Sequence, residues 1–494
     1  MTRTTIVALL FSVVVTAQSD RDVLARIRVE GLEHSQVAPV FEMLTVNIGP
    51  RLTASPAHKR AAEWARDRLA SYGLANARLE PWKFGRGWTL EKLTVEMIEP
   101  RYFPLLAYAD AWSASTSGEI VGAPALIAGK TTAEELTALA PQLKGAIVMT
   151  QPILSNFVRK DRPQPSDPGY VPMSAAYATS AGRGRGPAPV GETPQQRNQR
   201  VTDAMKAAGA AVILKPSIGE HGTVFVTGRD GGPGAVPSLT LSAEHYNMIA
   251  RYLQENIPVT LRLNIQTKFY DADEGHAYNV IAELPGTDPV LKDEVVMIGG
   301  HLDSWHTGVG ATDNADGSTT VMEAMRILKA IGARPRRTIR VALWGGEEQG
   351  MLGSKAWVTD HLAGAANAAA REKFDVYYNI DNGTGKIYGW FLQNQEEVRP
   401  IFDSWLEPLK SIGARRNVGE PVGSTDHLSF TDAGVPGFNP IQDYGNYDIR
   451  THHTNMDTVD RLDVDDIRQA AIVMATFAYQ SAMTDRKLPR PATR

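Results

Sequence analysis

Metal-type ligands follow short apolar runs at three places in the C-terminal half of this chain. Ile298 is followed by Gly-Gly-His301-Leu-Asp303, Trp344 by Gly-Gly-Glu347-Glu348, and Ile380 by Asp381. Asp313 lies in Gly310-Ala-Thr-Asp-Asn-Ala-Asp-Gly317, and His453 in Thr451-His-His-Thr-Asn-Met-Asp-Thr458. The chain has no Cys, which excludes thiol nucleophiles, disulfides and every thiolate zinc site. Two imidazoles and three carboxylates suit borderline-hard divalent ions such as zinc. One shared carboxylate would hold two such ions about 3.5–4 Å apart. The spacing is met with His301 and Asp381 on one ion, Glu348 and His453 on the other, and Asp313 bridging. Glu347 is then left over. A carboxylate beside a ligand but not needed as one is where a general base belongs, within reach of a water that a cation acidifies.

These residues need elements that bring them to one place. Apolar runs at 280–284, 295–298, 339–344, 376–380 and 435–441 alternate with helical patterns such as Val321, Met325, Leu328 and Ile331. Such runs predict an α/β fold: a central, mostly parallel (mixed) sheet flanked by helices. Ligands of open α/β sheets bind outside the carboxyl ends of the strands, so three separate strands deliver the candidate ligands to the same edge. Upstream, Ala61, Ala65, Leu69 and Tyr72 form one helical stripe, and Gly73 stands at its C-cap.

The texture changes between 118 and 266. Strand candidates at 146–149, 212–214 and 259–265, with one helix carrying Tyr246, Ile249, Ala250 and Leu253, predict a small, mostly β insertion. A segment at 159–200, crowded with Pro, Gly, Arg and Ser, reads as a surface loop. The catalytic unit would then comprise 18–117 and 267–494. Residues 1–17 read as an export signal, with Arg3, an apolar run at 6–15 broken only by Ser12, and small residues through Ala17. That run is about half of the ~20 residues needed to span a bilayer, so a secreted or periplasmic chain with no membrane span is expected. A net charge of -4, from 51 Lys+Arg and 55 Asp+Glu, gives no footprint for nucleic acid.

Taken together, these residues resemble the co-catalytic two-zinc exopeptidases of metallopeptidase family 28, which include bacterial leucyl-type aminopeptidases and glutamate carboxypeptidases. The resemblance rests on Gly300-His-Leu-Asp-Ser-Trp305, Asp313-Asn314, Leu343-Trp-Gly-Gly-Glu-Glu-Gln349, Gly434-Val-Pro-Gly437 and His452-His-Thr-x-x-Asp-Thr458. It implies His301, Asp313, Glu348, Asp381 and His453 as ligands of two zinc ions per chain, Glu347 as base, and Asp303 as the partner that orients His301. It favours His453 over His452, because the family's ligand directly precedes Thr or Ser. A protease-associated insertion, a cis peptide bond between Asp313 and Asn314, and short peptides or dipeptides as substrates are further implications. The segment Ile48-Gly-Pro-Arg-Leu-Thr53 is similar too.

Other residues carry weaker readings. Tyr444 and Tyr447 are candidate donors to the charge that develops on a tetrahedral intermediate. Asp426 would contact substrate or shape a turn. Asp463, Asp465 and Asp466 are better explained as caps of the last helix than as ligands. His306 and His427 have no ligand spacing and read as polar loop residues. Two other function classes compete with a peptidase: a glutaminyl-cyclase-like acyltransferase and a binding protein on a degenerate scaffold. The insertion argues against the first, and the complete ligand set with Glu347 against the second. A homodimer is left open.

Overall fold

The computed structural model describes residues 21–157, 159, 163–165 and 192–491. The expected export signal and most of 159–200 lie outside the described residues. The central sheet has seven strands in the order Ala75–Lys83, His276–Leu284, Thr338–Trp344, Val295–His301, Phe374–Asn379, Gly437–Gln442 and Ile387–Phe391. The four strands from Thr338–Trp344 to Gly437–Gln442 run parallel, whereas the three outer pairings are antiparallel. The sheet is therefore mixed, and the expected parallel character holds only at its centre, where the ligand-bearing strands lie. Register aligns their ends: His301 pairs with Trp344, and Gly299 with Asn379. Glu347, Glu348 and Asp381 therefore leave the sheet at the edge His301 occupies.

The apolar runs are continuous because both faces are covered. Val296, Ile298, Val341, Leu343, Val376 and Tyr378 point to one core, shared with Leu69, Met325 and Phe477 from helices Pro56–Ser71, Asp316–Ala330 and Val464–Met483. Met297, Ala342, Trp344 and Tyr377 point the other way, onto Trp357 and Phe430. Fully burying a side chain of this size contributes roughly 1.5–3 kcal/mol, so this double-faced packing is what makes the edge rigid. Ser55 caps Pro56–Ser71 by accepting from the His58 amide at 3.2 Å, and Gly73 follows with φ +82. Asp463 caps the last helix by accepting from the Asp465 amide at 2.9 Å, in line with its reading as a cap.

A second group of elements takes in the expected insertion at 118–266 and reaches beyond it on both sides. One sheet joins Phe103–Pro104, Gly87–Glu99, Thr260–Tyr270 and Ile120–Gly122; another joins Ala107–Ala109, Ser238–Leu241, Val212–Pro216, Ile147–Met149 and Pro124–Leu126. Three helices, Ala133–Leu143, Pro194–Ala208 and Ala243–Gln254, accompany them, so "mostly β" understates this accessory unit. Thr260–Tyr270 runs through the expected boundary at 266 and pairs with Gly87–Glu99, upstream of the boundary at 118. Those boundaries cut a sheet, because pairing between distant segments leaves no mark in local composition. Residues 194–200, expected as loop, open the helix Pro194–Ala208 behind a Thr193–Gln196 capping box. Among the described residues no helix is long and apolar enough to cross a membrane.

Candidate metal centre

His301 ends its strand fully buried, and its main-chain oxygen accepts from Ser318 Oγ at 2.7 Å. The ring Nδ1 is 3.0 Å from the main-chain oxygen of Asp303, which places a proton on Nδ1 and leaves Nε2 as the coordinating atom. Nε2 lies 3.1 Å from Asp313 Oδ1 and 3.7 Å from Asp381 Oδ1. The other oxygen of Asp313, Oδ2, lies 3.5 Å from His453 Nε2, which is itself 2.7 Å from Glu348 Oε2. Asp313 thus stands between two groups, one oxygen to each. Glu347 gathers with His301 and Asp381, one ligand atom from each lying within 4.8 Å of the others. His452 gathers with Asp313 and His453 in the same way, its Nε2 3.9 Å from Asp313 Oδ2.

Each loop in the site is held from behind. The Asp303 carboxylate faces His301 Nδ1 at 3.6 Å. Its oxygens also accept from the amides of Glu347 at 3.2 Å and Glu348 at 3.3 Å and from Thr53 Oγ1 at 2.9 Å. Asp303 therefore holds the paired glutamates with its side chain and meets His301 with both main chain and side chain. Arg51 is fully buried without touching a carboxylate: its guanidinium donates to the carbonyls of Leu44, Gly49, Leu302, Val309 and Gly310 at 2.7–3.0 Å. It fixes the loop between His301 and Asp313. Asp457 accepts from the Thr312 amide at 2.6 Å and its hydroxyl at 2.9 Å, immediately before Asp313. The Asp313–Asn314 peptide bond is cis, as expected, and Asn314 Nδ2 donates to the Ile380 oxygen at 2.9 Å, tying this turn to the strand end that carries Asp381.

The electrostatics ask for cations. Burial, reinforced by Asp381, Asp426 and Glu348, pushes Glu347 well above the ordinary carboxylate range; burial and Asp313 do the same to Glu348. Burial disfavours charge on His301, but Asp381, Asp303 and Asp313 outweigh it and raise its proton affinity well above the ordinary value. A divalent ion would take the place of that proton. Three atoms within the cluster, His301 Nε2, Asp313 Oδ2 and Glu348 Oε1, are buried without a hydrogen-bond partner. These are atoms of predicted ligands, and buried polar groups in proteins are rarely left so. The residues therefore fit a two-ion centre.

The remaining candidates separate. The Tyr447 ring stacks on His452 at 4.8 Å between centroids, and its hydroxyl feels Asp313, Asp381 and Glu348. Tyr444 is buried, its amide donating to Gln164 Oε1 at 2.7 Å. Asp426 is fully buried behind the site and accepts from Ser354 Oγ at 2.5 Å, a position that shapes the wall rather than one that meets substrate. Burial pushes it up to about 7. His306 lies in a loop, as expected, whereas His427 opens the helix His427–Asp432; burial lowers both to about 4, and each binds a carbonyl, of Ala109 at 2.8 Å and Val422 at 2.9 Å. Neutral imidazole packs as a small aromatic, which no spacing rule detects. The residues that sequence reasoning left without a role are Arg51, Thr53, Asn314 and Asp457. Asn314 and Asp457 lie inside the motifs that carried the resemblance, and Arg51 and Thr53 inside the similar segment 48–53.

Comparison with known proteins agrees with this geometry. The profile of Peptidase family M28 matches residues 279–478, the span that holds the predicted ligands. Carboxypeptidase Q of Bos taurus is 28% identical over 91% of this chain and 85% of the relative, and that of Homo sapiens 27% over the same shares. A peptidase M28 precursor from Shewanella amazonensis superposes with a TM-score of 0.71 at 26% identity, covering 96% of this chain and all of that one. BSAP, a zinc aminopeptidase from Bacillus subtilis, shares the fold at TM-score 0.59 and 18% identity, over 92% and 96% of the two chains. With profile, relatives and fold in agreement, residues 279–478 form a peptidase family M28 domain and the chain is a metallo-exopeptidase.

Proposed function

We propose that this chain removes terminal residues from short, unblocked peptides, dipeptides among them, using two zinc ions held by His301, Asp381, Glu348 and His453 with Asp313 between them. The observation that carries the reading is the division of Asp313, with one oxygen toward His301 and the other toward His453. Zinc is the metal in the name of the Bacillus subtilis aminopeptidase, and carboxypeptidase is the activity in the name of the bovine and human relatives. When bound, the ions would polarise the scissile carbonyl and acidify the attacking water. Glu347, its amide fixed by Asp303, accepts the proton as the water oxygen bonds to the carbonyl carbon. It then gives that proton to the amine as the C–N bond breaks. Tyr447, its ring stacked on His452 beside the site, and Tyr444 are the candidates to donate to the developing oxyanion. The same reading includes export directed by residues 1–17 and a protease-associated-like role for the accessory unit.

A panel of dipeptides, N-blocked peptides and C-blocked peptides, assayed with zinc-loaded protein, tests this. Amino acids are expected from the unblocked dipeptides, and the block that stops release identifies the terminus that is held. Absence of release from every member, or rapid internal cleavage of a folded protein, would overturn the proposal.

A further inference from the structure

His453 adopts φ +61, a left-handed conformation that non-glycine residues seldom take and that persists only where the surroundings enforce it. What surrounds it comes from the accessory unit. The Val226 amide donates to the His453 carbonyl at 2.9 Å, and Phe225 bridges Thr454 in antiparallel fashion. Asn455 uses both ends of its side-chain amide on the same segment. Oδ1 accepts from the Val224 amide at 2.7 Å, and Nδ2 donates to the Gly222 carbonyl at 3.2 Å. Its own amide donates to the Val224 carbonyl at 3.3 Å. Arg450 closes the near side, donating to the Glu220 carbonyl at 3.1 Å and to Thr223 Oγ1 at 3.2 Å. The loop 450–455 is thus held along the segment 220–226 by one isolated antiparallel bridge and the hydrogen bonds around it. Among the described residues no comparable brace from the accessory unit reaches the main chain of His301, which belongs to the central sheet.

We infer that the accessory segment 222–226, through Asn455 and the main chain of His453, sets the position of the His453 ring at the metal centre, which makes Asn455 a positioning residue. The inference rests on the two-ion reading above and goes beyond it: one half of the centre is built by the catalytic unit alone, and the other is completed by the inserted unit. Truncating Asn455 removes two of the bonds that hold the segment to the loop while leaving every candidate ligand in place. Loss of a group that orients a ligand typically weakens metal binding by about 10–100-fold.

The test is titration of zinc into metal-free full-length protein against a competing chelator, for the wild type, Asn455→Ala, Asn455→Asp and Glu348→Gln. Thermal unfolding of the metal-free forms is followed in parallel. Asn455→Ala is expected to weaken one zinc step by about 10–100-fold, the step that Glu348→Gln abolishes, and to leave the other step and the metal-free unfolding temperature near wild type. Asn455→Asp keeps the acceptor for the Val224 amide and is expected to recover part of that affinity. Two wild-type zinc affinities in Asn455→Ala would overturn the inference. So would equal weakening of both steps with a matching fall in the metal-free unfolding temperature, which marks a general structural role. A wild-type chain that takes up fewer than two ions would overturn the two-ion reading itself, and this inference with it.

Discussion

The strands Val295–His301, Thr338–Trp344 and Phe374–Asn379 carry buried charge at both of their ends, and the two ends are satisfied in different ways. At the amino ends, Arg337 is 1% exposed and donates through Nε to Glu294 at 2.6 Å and through Nη1 to the Thr484 carbonyl at 2.5 Å. Asp375 accepts from the Leu488 amide at 2.7 Å through Oδ1, and its Oδ2, which has no hydrogen-bond partner, faces the Arg337 guanidinium at 3.8 Å. A cation of the protein sits among the acids there, and the C-terminal residues close over it. At the carboxyl ends, Asp303, Asp313, Glu347, Glu348 and Asp381 crowd around two imidazoles, and predicted ligand atoms have no partner. The guanidinium of Arg51, which braces the loop before Asp313, is taken up by main-chain carbonyls. One end of the sheet uses buried charge to hold the fold; the other leaves it for something the fold must bind.

The contrast can be broken most forcefully at Asp313. Asp313→Ala is expected to abolish zinc-dependent stabilisation, worth about 2.7 kcal/mol at a hundredfold excess of zinc over Kd. The metal-free protein is expected to be no less stable than metal-free wild type, because the substitution removes a like charge from a crowded cluster. Thermal unfolding with and without zinc checks both parts. A large loss of stability without metal would mean that this end too is built for the fold.

Arg337→Ala should show the opposite pattern. It strands the buried Asp375 and takes a partner from the half-buried Glu294, and is expected to cost about 3–5 kcal/mol, read by denaturant unfolding, while zinc stoichiometry of the folded protein stays at wild type. Loss of zinc at unchanged stability would erase the distinction between the ends. The smallest effect is expected at Asp375. Burial, only partly offset by the Leu488 amide and Arg337, raises its pKa from the ordinary 3.8 to about 6. The folded protein therefore holds this proton more tightly than the unfolded chain. The resulting stabilisation is complete below about pH 4 and is lost as pH rises through about 6. Asp375→Asn should flatten the difference in stability across that window by about 1–3 kcal/mol. Parallel wild-type and variant profiles would remove Asp375 as the source.

The carboxyl edge was more legible in the sequence than anything around it. Double-faced burial turned the central strands into continuous apolar runs, so the residues placed just past each run, His301, Glu347, Glu348 and Asp381, announced a shared edge. Residues that act on the site from far along the chain left no such trace. Arg51 binds carbonyls more than 250 residues away, and Asn455 binds a segment some 230 residues before it. The carboxylate of Asp303 also holds the glutamate amides, a role that no motif spacing shows. The helix Pro194–Ala208 did have a local signal, since Thr193 and Gln196 form a capping box, but the surrounding Pro and Gly content obscured it.

The central claim is that two adjacent glutamates divide the work, Glu348 binding metal and Glu347 moving the proton. Zinc per chain and dipeptide turnover, measured together on Glu347→Gln and Glu348→Gln, address it most directly. The account predicts that Glu347→Gln keeps two zinc ions while turnover falls by about 10²–10⁴-fold or more, and that Glu348→Gln loses zinc. Loss of a full equivalent of zinc from Glu347→Gln, or near-wild-type turnover by it, would contradict the account.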